Sequence, residues 1–485
     1  MIKKVLQIAN CGILREYIVK KNSDFDGSFK KVNIIYAENG SGKTTFTQII
    51  KSLGGNTEVL KKRKSFNSTS GIEIRFLDEN NKAMIYSRNN WNCSTQNVIV
   101  FDTFWVESNI YNIPLGTWET PSETAMIILG QQGSATHKRI ALLRNRRSFL
   151  RRNLRNNKSY LKKVKTADAT SKITKRILRA DTLLTSVIKE IEVLELELDQ
   201  LYKVRGELFR KMVNHHLQRF NPALSFSKIK KIGINIVYTL QVSGFELDDV
   251  KGGKSYSLKQ TLSDGDKSSI AFSVFLATID LLENKEKYII VFDDPISSFD
   301  NNRRLATICS LTDLSSICQQ LFILTHDLYF CRKISDKFRD AQNIKICYRR
   351  TGNVLDNHNI QFDSLNEIQK DLLTLYSYIE RGVRNESELR DVIRCLRPTI
   401  EGIIRIKFFN VLKPNDWLGD MIVHIKNAPE SSPFFRLQPI LHDIESVNEY
   451  SKTYHHGNTV NFEMPIIETE LQQYVDTTLK LVQYI

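Results

Sequence analysis

A short glycine-rich segment near the start of the chain leaves few folds open to its N-terminal part. Residues 37–44 read AENGSGKT. The apolar run before it, residues 32–36, predicts a buried strand, and residues 46–50 after it open a helix. In such a strand, loop and helix, successive backbone N–H groups and the helix N-terminus surround an anion. The segment therefore predicts a phosphate-binding loop.

The side chains of this loop suit a nucleoside triphosphate with its magnesium ion. Lys43 adds a positive charge at the β- and γ-phosphates, and Thr44 is an expected Mg²⁺ ligand. Ala37 stands where such loops usually begin with glycine. Its methyl group is tolerated if the residue has φ below zero. No residue is indicated that stacks on the base, so ATP is the expected nucleotide and GTP is the alternative. The other expected nucleotide-binding residues are Asn39, Gly40, Ser41, Gly42 and Thr45.

Two later apolar runs predict further buried strands that end in polar side chains. Asp293 and Asp294 directly follow the run 289–292, and His326 lies two residues after the run 321–324. Ligands of parallel α/β sheets bind at the carboxyl ends of strands, so Asp293 is an expected outer ligand of Mg²⁺. Asp294 is expected to orient or deprotonate the attacking water, and His326 to lie near the γ-phosphate as the switch histidine. Aspartate is one methylene shorter than the glutamate common at position 294, which predicts slow hydrolysis.

The segment LSDGDK at residues 262–267 lies between the phosphate loop and these aspartates, and it opens a helix rich in small residues. Backbone N–H groups of Ser263, Gly265 and Asp266 at that helix N-terminus are expected to bind the γ-phosphate held by a second copy of the chain. ATP would then join two heads. A signature segment in this place predicts an ABC-type ATPase that forms a head-to-head homodimer, with larger oligomers left open.

The amino-acid composition indicates the kind of partner and the cellular compartment to expect. The 485 residues carry a net charge of +15, which favours a nucleic acid as partner. Residues 1–10 lack the apolar core of a signal peptide and predict an edge strand of the ATPase sheet. No apolar run approaches the roughly 20 residues of a membrane span. Seven scattered cysteines without a C-x-x-C pair predict reduced thiols, no zinc site and a cytoplasmic protein.

Residues 136–220 predict a helical hairpin with a polar turn at 165–171. Between residues 138 and 165 the outgoing arm has twelve Lys or Arg and no acid, whereas acids concentrate on the return arm. Two interpretations stay open, pairing of the two arms or a basic arm that carries a phosphate backbone or an acidic partner. The apolar seam alternates spacings of three and four. Its residues are Leu143, Leu150, Leu154, Leu161, Val164, Leu184, Val187, Ile191, Leu194, Leu198 and Leu201.

The remainder, from residue 363, predicts helices only. Arg397 and Glu401 lie four residues apart on one helix face, and His455 and His456 end a later helix. One interpretation is ordinary helix chemistry, an ion pair and a histidine that suits the helix dipole. The other is metal-independent RNA cleavage. In it His and Glu exchange protons with the ribose 2′-OH and the leaving oxygen, and Arg397 stabilises the phosphate charge.

An ABC head interrupted by an antiparallel coiled coil resembles the SMC class and its DNA-repair relatives. Those proteins have much longer arms, and some carry a Cys-x-x-Cys zinc hook at the tip. This tip has no cysteine. A compact signalling or gating ATPase therefore fits better than a long-range DNA tether.

A second resemblance is more specific. It rests on NGSGKT at 39–44, VFDTFWV at 100–106, ILG at 128–130, LSDGDK at 262–267 and FDDPISSFD at 292–300. These motifs are similar to those of the bacterial anticodon-nuclease ATPases of the PrrC and RloC kind, within a wider group of phage-defence ATPases. The resemblance implies an α/β ABC-type ATPase head with an inserted antiparallel coiled-coil hairpin, plus an all-α C-terminal HEPN-like domain. The expected boundaries are 1–135, 136–220, 221–362 and 363–485.

In that family, nuclease members cut tRNA with an Arg-x-x-x-Glu pair and a downstream histidine, which match Arg397, Glu401 and His455 or His456. We therefore expect an anti-phage ATPase whose dimerisation controls a toxic RNase in its C-terminal domain. One alternative is an ATPase subunit that gates a separate nuclease, as in Septu-type and retron systems. Another is an SMC-like DNA-handling ATPase. The expected partners are a second copy, RNA such as tRNA, a partner nuclease or a phage trigger protein, and no membrane.

Overall fold

The computed structural model describes residues 1–21, 23–66, 68–111, 123–164, 166–232, 235–247, 262–296, 299–455 and 465–485. The chain divides into two compact units, Met1–Ile360 and Gln361–Ile485. The strands of the first unit are β1 Ile2–Cys11, β2 Leu14–Ile18, β3 Val32–Tyr36, β4 Glu73–Asp78, β5 Ala83–Ser87, β6 Asn90–Trp91, β7 Asn97–Phe101, β8 Leu224–Ile232, β9 Asn235–Val242, β10 Phe245–Leu247, β11 Tyr288–Asp293, β12 Gln320–Thr325, β13 Gln342–Cys347 and β14 Val354–Asn357. Its helices are α1 Lys43–Ser52, α2 Glu58–Lys61, α3 Thr103–Val106, α4 Glu123–Leu161, α5 Ala167–Phe220, α6 Asp264–Asp280, α7 Asn301–Ile317 and α8 Leu328–Lys337.

A six-stranded sheet in the order β14-β13-β3-β12-β11-β7 forms the centre of the first unit. Its strands run parallel except for β14. Neighbouring residues of one strand point to opposite faces, so Ile34 enters one hydrophobic cluster and Ile35 the other. Burial on both faces explains why β11 and the middle of β12 are continuous apolar runs and why β3 is apolar except for the buried Asn33.

The N-terminal strand does not lie where the sequence predicted it. β1 belongs to a separate antiparallel sheet in the order β2-β1-β4-β5-β6, and it lies between β2 and β4. The prediction of an edge strand in the ATPase sheet was therefore wrong. In β1 the buried residues Ile2, Val5 and Ile8 are three apart, and register shifts in the pairing with β4 after Ile2 and after Val5 bring them to the same face, while Lys3 is exposed. A third sheet has the order β10-β9-β8.

Two long helices, α4 and α5, pack against each other as a hairpin. Leu143, Leu150, Val187 and Ile191 form a buried cluster along their seam. The turn is shorter than the predicted 165–171, because α5 already begins at Ala167. Asp168 stabilises this start, as it lies in the first turn and pairs with Lys172. The 54 residues of α5 span roughly 80 Å.

The second unit is helical throughout its described residues and has its own hydrophobic core. Leu396, Ile400 and Ile404 of one long helix lie in that core at helical spacing. In the whole described part of the chain, no helix is both long and apolar enough to cross a membrane. The helices from the unit boundary onward are α9 Ile360–Asp363, α10 Glu367–Arg381, α11 Glu386–Lys407, α12 Leu418–Lys426, α13 Leu441–His455 and α14 Glu468–Tyr484.

Candidate functional site

The carboxyl ends of four parallel strands meet at one edge of the central sheet. Thr325 at the end of β12 pairs with Tyr36 at the end of β3. Asp293 pairs with Leu324, and Phe292 pairs with Phe101 at the end of β7. This register brings the phosphate loop, the aspartate pair and the histidine to the same edge, although up to about 280 residues separate them in the chain.

The phosphate loop takes a conformation that requires its glycines. Gly40 has φ +79° and Gly42 has φ +113°, values that favour residues without a Cβ atom. Gly42 is the N-cap of α1, so the helix starts at Lys43. Outside the loop, Asn353 next to β14 donates its side-chain N–H to the carbonyl of Ser41 over 2.8 Å and holds the loop's midpoint. Sequence reasoning missed this asparagine, and no local pattern marks it.

Lys43 lies inside this loop and is 6% exposed. Its Nζ donates to the carbonyl of Ala37 over 2.8 Å and lies 3.6 Å from Oδ2 of Asp294. The amine is therefore held between the start of the loop and the acid at the end of β11. That position lets its charge act on phosphates bound in the loop, because little solvent screens it.

Asp293 is the acid with the most perturbed ionisation in the site. Burial and, after it, the neighbouring charge of Asp294 raise its pKa to about 6, against the lowering effect of a hydrogen bond from Thr44. The raised pKa means that the ionised carboxylate is disfavoured, and a divalent cation would stabilise it. The nearby threonine hydroxyl and second acid offer further oxygen ligands for such a cation. Thr44 and Asp293 are the residues that would hold Mg²⁺, whose charge would be shared with bound phosphate oxygens.

Asp294 and His326 form a bonded pair beside that position. Asp294 has φ +52°, the left-handed region, and its N–H donates to the carbonyl of Leu324 over 2.9 Å. Its Oδ1 accepts the backbone N–H of His326 over 3.0 Å and lies 2.8 Å from the Nδ1 of the same histidine. The carboxylate therefore orients the imidazole, and its second oxygen faces Lys43. The strained backbone is held by both strands, which is typical of a functional residue.

Asp102, directly after β7, is a third acidic group of this edge that sequence reasoning missed as a site residue. It is buried, accepts a hydrogen bond from Gln48 over 2.8 Å and pairs with Lys51 at 3.3 Å. It thereby ties α1 to β7, while its Oδ1 accepts the N–H of Trp105 as cap of α3. The signal was present in the sequence, because Asp102 follows an apolar run as Asp293 does.

A cleft of about 330 Å³ opens beside the two aspartates. Asp102 and Thr103 line one part of it, and Asp293 and Asp294 another. The start of α6 completes the lining with Asp264, Lys267 and Ser268. The segment after the signature serine therefore lines the same cleft as Asp293 and Asp294 of its own chain.

The signature segment is fixed by a small polar network. Ser263 is exposed and caps α6, and its hydroxyl donates to Oδ2 of Asp266 over 2.7 Å. The other oxygen of Asp266 accepts from Asn221 over 2.9 Å and from Arg303 over 2.8 Å. Burial opposes ionisation of Asp266, but the hydrogen bonds from Ser263 and Asn221 and the charge of Arg303 hold its pKa below the usual value. Gly265 is buried.

Of the expected RNase residues, the structure describes Arg397 and Glu401 in full. Glu401 accepts the N–H of Leu418 over 3.2 Å and pairs with Arg405 at 3.3 Å. It therefore helps to start α12, and its ion pair in the described residues is with Arg405, four residues on. Arg397 is half-buried. The side chain of His455 and all of His456 lie outside the described residues.

A family model described as an AAA domain matches residues 15–222 and 211–437. No curated protein matches the chain.

Three solved structures of Smc heads are similar at low identity. An Smc head with an extended coiled coil, bound to the C-terminal domain of ScpA, from Pyrococcus furiosus is 11% identical and covers 78% of this chain and 100% of its own, with a TM-score of 0.44. An SmcHead bound to the C-winged helix domain of ScpA is 10% identical over 73% of this chain and 97% of its own, with a TM-score of 0.38. An Smc head with a coiled coil and joint from Pyrococcus yayanosii is 9% identical over 74% of this chain and 98% of its own, with a TM-score of 0.39. Because the family model spans most of the chain and the phosphate loop, aspartates and histidine share one edge, the chain belongs to the AAA domain family and is an ATPase.

Proposed function

We propose that the chain is the ATPase of an anti-phage defence system, whose nucleotide-driven head dimerisation controls a toxic RNase. The observation that carries the ATP-dependent part is the meeting of Lys43, Asp293, Asp294 and His326 at one sheet edge. The defence role is supported by the motifs shared with the PrrC and RloC kind.

In this proposal, each part of ATP hydrolysis is assigned to named side chains or backbone groups of the chain. Lys43 binds the β- and γ-phosphates, and Mg²⁺ held by Thr44 and Asp293 would neutralise charge on the transferred group. Asp294 orients the attacking water and takes its proton, while His326, positioned by Asp294, contacts the γ-phosphate. Ser263 and the N–H groups at the start of α6 bind that phosphate from a second copy.

The RNase is proposed to lie in the C-terminal unit, with Arg397, Glu401 and His455 or His456 as its residues. Histidine and glutamate would act as the acid and base, and Arg397 would stabilise the charge that develops on the phosphate. Arg397 is half-buried on α11, so it keeps access to a substrate.

The second candidate is an ATPase that gates a separate nuclease. The observation that favours it is the engagement of Glu401, which accepts from Leu418 and pairs with Arg405. A carboxylate bound at both oxygens is suited to holding α12 in place, and it must release a partner before it can act as a base.

The test is incubation of the purified protein with total tRNA, with and without ATP and Mg²⁺, followed by gel analysis. Arg397→Ala and the double change His455→Ala/His456→Ala are expected to abolish cleavage while ATP hydrolysis continues. Arg394→Ala, an exposed arginine one turn earlier that pairs with Asp391, is the matched control and should cut normally. Cleavage by every variant, or by none under any nucleotide, rules out the tail as the active site. Cleavage that appears only with a neighbour-encoded nuclease establishes the gating function instead.

A further inference from the structure

The positive charge of this chain is concentrated in the distal half of the hairpin. Residues 146–181, which include the end of α4, the turn and the start of α5, carry thirteen Lys or Arg and two Asp. That is a net charge of +11 in 36 residues, against +15 for all 485. Both arms contribute, so the turn is basic on both sides. The sequence-based contrast of a basic and an acidic arm therefore holds only for the half near the head.

The two halves of the hairpin differ in how their charges are paired. Near the head, Arg139 pairs with Glu190 at 2.7 Å and Arg144 with Glu195 at 2.5 Å, so the arms neutralise each other there. Beyond residue 145, the basic side chains described on α4 form no ion pair. On the described start of α5 the pair is Asp168 with Lys172. Repeated like charges one turn apart repel each other, so this half of the hairpin favours a bound polyanion.

Four basic residues at the end of α4 and directly after it form a regular stripe. Arg151, Arg155, Lys158 and Lys162 follow spacings of four, three and four, which place them on one helix face over roughly 16 Å. Together with Ser159 they line a groove of about 480 Å³ whose floor includes the buried Leu154. The start of α5 repeats the pattern with Lys175, Arg176 and Arg179, all exposed.

Two aromatic side chains lie among these charges. Phe149 is 62% exposed and Tyr160 is 60% exposed. They are eleven residues apart, which is three helical turns, so both rings lie on one side of α4. They lie on the side of α4 opposite the groove, where the exposed Arg146 and Arg152 are each three residues from Phe149. Exposed rings beside basic residues offer a second surface, on which unpaired bases could stack.

We propose that the basic end of the hairpin, residues 146–164 and 166–181, binds the phosphate backbone of a nucleic acid. A hairpin end with thirteen basic and two acidic residues between 146 and 181 matches a polymer with one charge at every repeat, whereas a folded acidic protein presents mixed charges. The groove of α4 binds phosphates through Arg151, Arg155, Lys158 and Lys162. This site lies outside the nucleotide site and does not depend on the proposed RNase.

The experiment compares the full-length protein with Arg151→Gln/Arg155→Gln/Lys158→Gln/Lys162→Gln by fluorescence anisotropy. The probes are labelled single-stranded RNA, duplex RNA and duplex DNA of about 30 nucleotides per strand, titrated across salt concentrations. The variant is expected to bind at least about tenfold more weakly near 0.1 M salt. The slope of log K against log salt should fall by about 3, because each lost phosphate contact contributes about 0.7 to 0.9. The probe that loses most identifies the kind of nucleic acid bound.

The matched control removes four positive charges elsewhere, in Lys21→Gln/Lys30→Gln/Lys62→Gln/Lys82→Gln, all exposed side chains of the first unit. It should keep the salt slope, and both variants should keep the basal ATPase rate, which shows that they fold. An unchanged affinity and slope of the hairpin variant for every probe overturns the proposal. An equal loss in the control variant does so as well, because the binding would then follow net charge alone.

Discussion

At the scale of single residues, Asp293 combines two properties that conflict. Its carboxyl is buried and lies beside Asp294, which raises its pKa to about 6 from an ordinary value of 3.8. A magnesium ligand must nevertheless be ionised near neutral pH. The nucleotide-free protein therefore holds Asp293 ionised at an energetic cost, which a bound cation would offset.

The first prediction concerns Asp293→Asn. As pH rises from about 4 to 6, the native state keeps a proton that the unfolded chain has released, so native stability falls through this window. Asparagine removes the effect, so the variant should be more stable than wild type by about 1–3 kcal/mol at pH 8. Its advantage should shrink towards pH 5, and its ATP hydrolysis should be lost. Urea unfolding with EDTA at several pH values measures this, with the exposed Asp340→Asn as control. A pH-independent difference would contradict the assignment.

At the scale of elements, the signature helix and the hairpin are joined at the head. Asp266 at the start of α6 bonds to Asn221, directly after α5, and to Arg303 of α7. At the other end of α6, Asp280 lies 2.7 Å from His216 of α5. The ring of Phe220 packs between these contacts against Phe272, 5.4 Å away. A shift of α6 is therefore transmitted to α5.

The second prediction tests the network at the start of α6. Arg303→Ala leaves the half-buried carboxylate of Asp266 without its cation, so unfolding free energy should fall by about 1–3 kcal/mol. Arg219→Ala is the comparison, because Arg219 pairs with Asp313 on the surface and such pairs contribute less than about 1 kcal/mol. Urea unfolding of both variants gives the two values. Equal losses would show that the Asp266 network adds nothing beyond a surface ion pair.

At the scale of the whole molecule, the exposure of Ser263 bears on the proposed head-to-head dimer. Ser263 is exposed at the start of α6, whereas Lys43 is buried in the loop. In the proposed dimer, a γ-phosphate bound by Lys43 of one copy would meet Ser263 of the other. Each composite site would then take one half from each copy.

The third prediction uses this sharing. In an Asp294→Asn background, which slows hydrolysis, ATP and Mg²⁺ should produce a dimer in sedimentation. Lys43→Ala should lose it with nucleotide binding, and Ser263→Glu should lose it by repelling the phosphate while still binding ATP. The exposed Ser316→Glu is the control and should dimerise.

An equimolar mixture of the Lys43→Ala and Ser263→Glu proteins gives the decisive result. Such a pair contains one intact composite site, so partial dimerisation should return in the mixture. A mixture that stays monomeric while Ser316→Glu dimerises would refute the sandwich.

Much of the nucleotide site could be predicted because its residues are tied to local structure. The AENGSGKT loop, the end of β11 and His326 each follow an apolar run, so their places at strand ends follow from pattern alone. The links among them could not be predicted. Asn353 reaches Ser41 across 312 residues, and Asp102 joins Gln48 across 54, contacts for which no local rule exists.

From its amino acids alone the chain specified a phosphate loop, an aspartate pair, a capped signature helix and a helical hairpin, because periodicity and turn chemistry act over a few residues. Folding in three dimensions decided that β1 lies inside a separate antiparallel sheet and that Glu401 pairs with Arg405 at the start of α12. It also decided that Arg139 and Arg144 are neutralised by acids of α5 near the head, whereas the described basic side chains of α4 beyond residue 145 form no ion pair. Those outcomes depend on contacts between segments that are far apart in the sequence. Such contacts are decided by burial and charge pairing in the packed chain, which no local pattern encodes.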